Sequence, residues 1–441
     1  MGLVLRNAVL CDLDPMRVEV GELRIDGGMI VARGRVEALA GDESIDCGGA
    51  VVLPGMVNGH THLYSALAVG MPAAPRVPRN FLEILQLVWW RLDRALDEGS
   101  NEMSATVGAL EALRCGTTTL IDHHASPAAI EGSLDAMERG IARVGLRGVL
   151  CYEVTDRNGR EGREKGLEEN RRYLRKRGHG RDAHATGGRF AGLVGAHASF
   201  TLEDESLDGL AAMAKEFGVG VHIHVAEDPC DEEHSLREHN EPLVNRLERH
   251  GIVNDKTIFG HGTHLSDDGI ARINASNVRL AHNPRSNMNN AVGYTRVGKI
   301  TCPIQLGTDG IGADMFTEAK TAWFKSRDGG AGISPSRVIG MLAQSARTAS
   351  QCLGVTVGKL EVGAAADVVV TDYVPFTEMT AENFPGHFIF AMGPQNVRDV
   401  IVGGKVALRD RRVVSFDEVG IRSKAVEVAN ALWERMGRVA E

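Results

Sequence analysis

The sequence predicts an α/β fold: a TIM (β/α)8 barrel with a small β-sandwich domain formed by both chain ends. Three observations carry this. Eight short apolar stretches each end in polar residues and lead into a segment of helical pattern, which is the rhythm of βα units in a parallel sheet. Ten of the 16 histidines sit at the ends of those stretches, and in a barrel the strand ends on one face carry the active site. The first and last parts of the chain share a third texture, Val-rich alternation broken by Gly and Asp, which reads as the hairpins of a small sheet.

In chain order, residues 3–53 contain the alternating run VEVGELRIDGGMIVARG. The same texture returns in GKLEVGAAADVVVTDY and VRDVIVGGKVALRDRRVVS, so residues 1–55 and 358–415 are expected to form one composite β domain. Residues 56–357 hold the eight strands, ending at VNGHTHL, TLIDHHAS, VLCYEVTDRN, LVGAHASF, VHIHVAED, TIFGHGTHL, VRLAHNPRSN and IQLGTDG. Eight such units close a barrel. Residues 416–441 alternate apolar and charged positions and are expected to be helical.

Size and charge narrow the function classes. A chain of 441 residues, 43% hydrophobic, buries one large core beside a smaller body. A net charge of -9 supplies no basic stripe for a phosphate backbone, so the expected partner is a small molecule rather than a nucleic acid. The seven cysteines are odd in number, scattered and free of CxxC pairs, which argues for reduced thiols and a cytoplasmic protein. No signal-like start and no apolar run of membrane-spanning length appears, so no membrane partner is expected.

The chemistry is concentrated at the strand ends. His60 and His62, two apart on the first strand, project to one face. Alone they are equally explained as structural residues. With His224 in HIHVAED and Asp309 in LGTDG they make three imidazoles and a carboxylate, which suits one divalent ion, zinc with iron as the alternative, and leaves a position for water. Such an ion brings the pKa of water towards neutrality. Glu227, three residues past His224, is the candidate for proton transfer; the plain alternative is an exposed loop acid. His261 in GHGTH is placed to orient the water, and His197 in GAHASF to meet the substrate's polar edge.

Other residues stay open between two readings. Arg285 in HNPRSN either binds a carboxylate or carbonyl edge of the substrate bidentately or serves as a structural ion-pair partner. His123 and His124 either touch the substrate or support the ligands by hydrogen bonds. His222 reads as a satisfied core histidine and His264 as a loop residue. Trp89 and Trp90 either cap the pocket or pack in the interior.

Taken as an ordered set, LPGMVNGHTH, GAHASFTL, HIHVAED, GHGTHL, HNPRSNM and LGTDG, followed by VGKLEVGAAADVVV, resemble the cytosine deaminase and chlorohydrolase branch of the amidohydrolase superfamily over nearly the whole chain. Within it, WWRLDRALDE, DHHASPAAIEGSLD and TDRNG resemble the SsnA-type aminohydrolases. The resemblance implies a mononuclear site ligated by His60, His62, His224 and Asp309, with Asp309 also accepting the proton of the nucleophilic water. It further implies that Glu227 protonates a ring nitrogen, that His261 steadies the hydroxide, that His197 binds substrate, and that the protein is a homo-oligomer, a dimer or larger. The chain departs from the branch in reading Ile311, Gly312, Ala313, Asp314 after GTDG, and in carrying Arg285 where a smaller polar residue is common. No lysine lies at the end of the fourth strand, where the two-metal members carry a bridging group.

The expected activity is therefore hydrolytic deamination of a small N-heterocycle, with purine- or pterin-like bases fitting best. Ring opening of a cyclic amide or imidazolone on the same mononuclear site is the alternative. An inactive ligand-binding homologue has no use for the complete set of ligands, acid and histidine. The H-x-E and PCxxC signature of nucleic-acid deaminases is absent.

Overall fold

A computed structural model describes residues 2–177, 188–414 and 416–440; residue 415, the expected edge of the composite β region, lies outside them. The N-terminal part supplies strands Leu3–Leu13, Met16–Asp26, Met29–Gly34, Glu43–Asp46 and Val51–Pro54, and the C-terminal part Val368–Thr371, Val397–Val402, Lys405–Arg409 and Arg412–Val413. Together they form one nine-stranded sheet. Its seam is Val51–Pro54, parallel to Leu3–Leu13 through Val9 and Val51 and antiparallel to Val368–Thr371 through Leu53 and Val369. Side chains alternate across this seam. Val52, Val368 and Val370 join Leu5, Leu10 and Leu23 in one apolar cluster, whereas Val51, Leu53 and Val369 enter the main core. Both faces are covered, which is why these short strands are apolar without interruption.

The intervening chain gives parallel strands. Met56–Thr61, Thr117–His124, Arg147–Tyr152 and Phe190–Gly192 make a four-stranded sheet, and Val194–Ala198, Val221–Val225, Ile258–His261, Arg279–His282 and Ile304–Leu306 a five-stranded one. Residues 190–198 pass from one sheet straight into the other, and a Val154–Ala196 bridge links them again. The outer edges also meet: Thr61 bridges Asp309, and the Asp309 N–H donates to the His60 carbonyl at 3.0 Å. Gly307 permits this approach, because a Cβ there would lie 2.6 Å from the His60 Cβ. Helices follow the strands, among them Ser133–Val144, Asp204–Phe217, Asp267–Ser276 and Met315–Asp328. The fold is mixed α/β with parallel sheets, and the His-bearing strand ends share one side of it.

A C-terminal helix, Glu418–Met436, packs Ala429, Leu432 and Met436 against Tyr64, Leu67, Leu92 and Ala95. Its Trp433 Nε1–H donates to the Leu67 carbonyl at 3.0 Å, and Arg435 Nε to that of Ala95 at 2.8 Å. These contacts brace the segment that carries Trp89 and Trp90. Among the described residues no helix is long and apolar enough to cross a membrane.

The terminal sheet is held to the parallel strands by a buried ion pair. Arg147 grips Asp367 with two hydrogen bonds, 2.7 and 3.0 Å, and Asp367 also accepts the Gly403 N–H at 2.7 Å. Removing one partner strands the other charge in the interior, so Asp367→Ala is expected to destabilise by about 3–5 kcal/mol. A denaturant midpoint lowered at constant m-value is the readout; an unchanged midpoint would contradict the assignment.

Candidate metal centre and active site

His60 is the last residue but one of the strand Met56–Thr61, every residue of which is buried, and His62 follows that strand immediately. The period-two spacing does bring both rings to one place: their Nε2 atoms lie 3.3 and 2.8 Å from Asp309 Oδ1. His224, from the strand Val221–Val225, puts its Nε2 3.0 Å from that of His62. The other ring nitrogens settle the tautomers. His62 Nδ1–H donates to the His123 carbonyl at 2.6 Å and His224 Nδ1–H to the His197 carbonyl at 2.8 Å, so both Nε2 atoms present lone pairs. His60 Nδ1 shares a proton with His222 Nε2 at 2.7 Å, and its buried Nε2 has no hydrogen-bond partner.

Two lone pairs 3.0 Å apart beside a carboxylate repel unless a positive charge sits among them. The ionisation behaviour says the same. Burial drives His60 down to about 3 and His224 well below the usual range, so these rings are neutral. Burial also opposes a charge on His62, yet Asp309 outweighs it and pushes this ring up to about 9, so with no ion bound the positive charge beside Asp309 is a proton on His62 Nε2. The donor set therefore fits a borderline divalent ion bound by nitrogen and oxygen. Ligand atoms of His60, His224, His261 and Asp309 lie within 4.8 Å of one another, and so do those of His62, His123 and His224.

The proposed proton-transfer groups surround this cluster. Glu227 Oε2 lies 3.5 Å from His261 Nε2, and Glu227 Oε1 accepts the Asn290 amide at 3.3 Å. Burial, reinforced by the Asp309 charge, pushes Glu227 up to about 7. His261 Nδ1–H donates to Asn287 Oδ1 at 2.8 Å, which leaves its Nε2 lone pair towards the site. Ser286 donates its hydroxyl to Asp309 Oδ2. His261 and Asp309 both have left-handed backbone, φ 69° and 55°, as does Ala226 beside Glu227 at 51°. Non-glycine residues rarely take this conformation, and strain of this kind collects at functional sites.

The structure brings His60, His62, His224, Asp309, Glu227, His261 and His197 to one pocket region, which His62, Glu227, His197 and Asp309 line together with Trp89, Trp90, Phe81 and Leu85. It does not bring Arg285 there. The expected substrate contact of Arg285 is corrected: its guanidinium binds Glu318, which is fully buried, and donates to the Gly312 carbonyl at 2.7 Å. Arg285 lies on the helix Pro284–Asn289, and steps of about 100° per residue turn it away while Ser286 and Asn290, four apart, face the site.

The residues left open now have places. His222 is the core histidine behind His60, and His123 Nε2 lies 3.0 Å from the Ala196 and His222 carbonyls. His124 Nε2 pairs with the Ser126 hydroxyl at 2.9 Å. Both tryptophans line the pocket. Sequence reasoning missed Glu153, Ser286, Asn287 and Asn290. The last three stand in or just beyond the HNPRSNM motif, and helical spacing after the seventh strand was the signal available for them. Glu153 sits in CYEVTD with no histidine beside it, and nothing in its spacing marks it.

Comparison with known proteins agrees with this geometry. The amidohydrolase family profile matches residues 51–407. Over 447 residues the chain is 30% identical to a 5-methylthioadenosine/S-adenosylhomocysteine deaminase of Desulforudis audaxviator, covering 98% of this chain and all of the relative. It is 28% identical to a 5'-deoxyadenosine deaminase of Methanosarcina mazei, covering 98% and 99%. Among solved structures it is similar in fold to a zinc-bound adenosine deaminase of Xanthomonas campestris, with TM-score 0.84 at 22% identity and 99% coverage of each chain. The atrazine chlorohydrolase of Arthrobacter aurescens gives 0.82 at 21%, covering 97% and 100%. A family match across most of its length, and a relative 30% identical over 98% of it, place this chain in the amidohydrolase family.

Proposed function

We propose that this chain is a zinc-dependent aminohydrolase that deaminates a purine-like heterocycle. Its parallel strands are read as one TIM (β/α)8 barrel, with the nine-stranded sheet as the small β-sandwich domain. The observation that carries the functional reading is the convergence of imidazole lone pairs on Asp309, with Glu227 held beside His261 on the pocket wall. The relatives named as deaminases of adenosine derivatives support a purine-like substrate.

His60, His62, His224 and Asp309 would hold the ion, which supplies the Lewis acidity that makes water nucleophilic near neutral pH. The remaining work falls to the chain. Asp309, its carboxylate plane fixed by the Ser286 hydroxyl, accepts the proton of the attacking water. His261, oriented by Asn287, steadies that water through its Nε2. Glu227 protonates the ring nitrogen next to the carbon under attack, so that the tetrahedral intermediate forms as a neutral ring. On collapse Asp309 returns its proton to the departing amine, which leaves as ammonia, and Glu227 recovers a proton from the added hydroxyl as it becomes the ring carbonyl, so one water is consumed for each amine released and both carboxyl groups are restored.

Glu227 must start protonated, and its rise to about 7 follows from burial first and the Asp309 charge next. Activity should therefore be present below about pH 7 and fall as pH rises through that value. A pH profile of kcat/KM tests this against Glu227→Gln, whose residual activity should lack the alkaline limb. A limb near pH 7 retained in the variant would assign it to another group.

A further inference from the structure

One wall of the pocket carries a group that the mechanism above does not use. Glu153 and His197 both line the cavity and are only 4% and 6% exposed. Glu153 Oε2 lies 3.2 Å from His123 Nδ1. Its other oxygen, Oε1, is 3.9 Å from the Arg157 guanidinium and 3.8 Å from His197 Nε2, and among the described residues no donor comes within hydrogen-bonding distance of it. The Arg157 Nη2 nearest to it binds Asp93, and the guanidinium lies over the Trp90 ring at 4.9 Å.

The His197 ring does not supply the missing donor. The Thr201 hydroxyl gives its own proton to the Ala198 carbonyl at 3.0 Å and so takes the His197 Nδ1–H at 2.8 Å. His197 Nε2 is then a lone pair. Two buried acceptors, a carboxylate oxygen and an imidazole nitrogen, thus face one gap in the pocket wall. Both residues line the cavity, so the pair stands open to donors that a ligand brings. Their position says which part of the ligand. The His197 ring lies 5.9 Å from the His224 ring, and the His123 ring, which contacts Glu153, lies 4.8 Å from it. The His197 ring thus stands one ring's width from a ligand histidine with Glu153 Oε1 beside it, which puts the heterocycle itself within reach of this pair.

We propose that Glu153 and His197 form a paired acceptor that reads N–H groups on the substrate ring, so that this enzyme takes an unsubstituted heterocyclic base with free ring N–H in preference to an N-alkylated or ribosylated one. This rests on the reading of the chain as a heterocycle deaminase, and it makes Glu153 a specificity-determining residue. N-substitution removes the donor and leaves two buried acceptors unpaired, the situation in which enzymes discriminate most strongly.

The test compares adenine and guanine with their 7-methyl and 9-methyl derivatives on the zinc-loaded protein, measuring ammonia release and, by calorimetry, binding. The free bases should bind, and turn over where they react, about 100-fold or more better than the methyl derivatives. In Glu153→Gln that ratio should shrink to less than about tenfold, with zinc content unchanged. Methyl derivatives that bind as tightly as the parents, or a Glu153→Gln protein that keeps the full ratio, would overturn the proposal. Should the variant fail to fold, the comparison on the unaltered protein decides. Strong preference in binding without ammonia from any base would refute the deaminase reading and leave the acceptor pair standing.

Discussion

Glu227→Gln should retain its full complement of metal and lose turnover by about 10²–10⁴, the range that a positioned acid contributes. The amide fills the same space and can still meet the Asn290 side chain that lies 3.3 Å from Oε1, so the fold and the ligand cluster are undisturbed. What it lacks is a transferable proton. The loss should appear in kcat and kcat/KM together, because the group is needed only as the ring nitrogen gains its proton in the transition state. A variant with unchanged kcat and raised KM would make Glu227 a binding residue instead.

The second large effect concerns the ligands. Asp309→Ala removes the carboxylate that lies 2.8 Å from His62 Nε2 and 3.3 Å from His60 Nε2, leaving imidazole lone pairs with no anion among them. Purified protein should fall from about one equivalent of metal to a small fraction, and activity with it. Asn287→Ala is the graded control. Asn287, held by its own donation to the Thr295 hydroxyl at 3.3 Å, meets His261 through the 2.8 Å hydrogen bond to Nδ1, and loss of such an outer partner typically costs 10–100-fold in affinity or activity. Equal losses in the two variants would mean that His261 is itself a ligand, in line with its place within 4.8 Å of His60, His224 and Asp309.

Much of this site was legible in the sequence because strand geometry is simple. Residues two apart on a strand share a face, so His60 and His62 had to act together, and motifs at the ends of parallel strands had to meet along one side. Helical and long-range geometry was less visible. Arg285 and Ser286 are neighbours in sequence, yet one binds Glu318 and the other Asp309, and only the start of the helix Pro284–Asn289 fixes which is which. Glu153 gains its role from His197 and His123, which come from other strands, so no local spacing announces it. The proposed split of the histidines into ligand, water-orienting and core roles likewise depends on which nitrogen each ring donates from, as the His60–His222 pair illustrates. The joining of both chain ends into one sheet followed from their shared texture, but its seam at Val51–Pro54 rests on pairings more than 300 residues apart in sequence.

The measurement that bears most directly on the central claim is product analysis with metal-loaded protein on a panel of purines and adenosine derivatives. Ammonia released in equal amount to a new ring carbonyl, and slowed about 10²–10⁴-fold in Glu227→Gln, is the predicted result. A new carboxylate without ammonia would establish ring-opening hydrolysis at the same centre and contradict deamination.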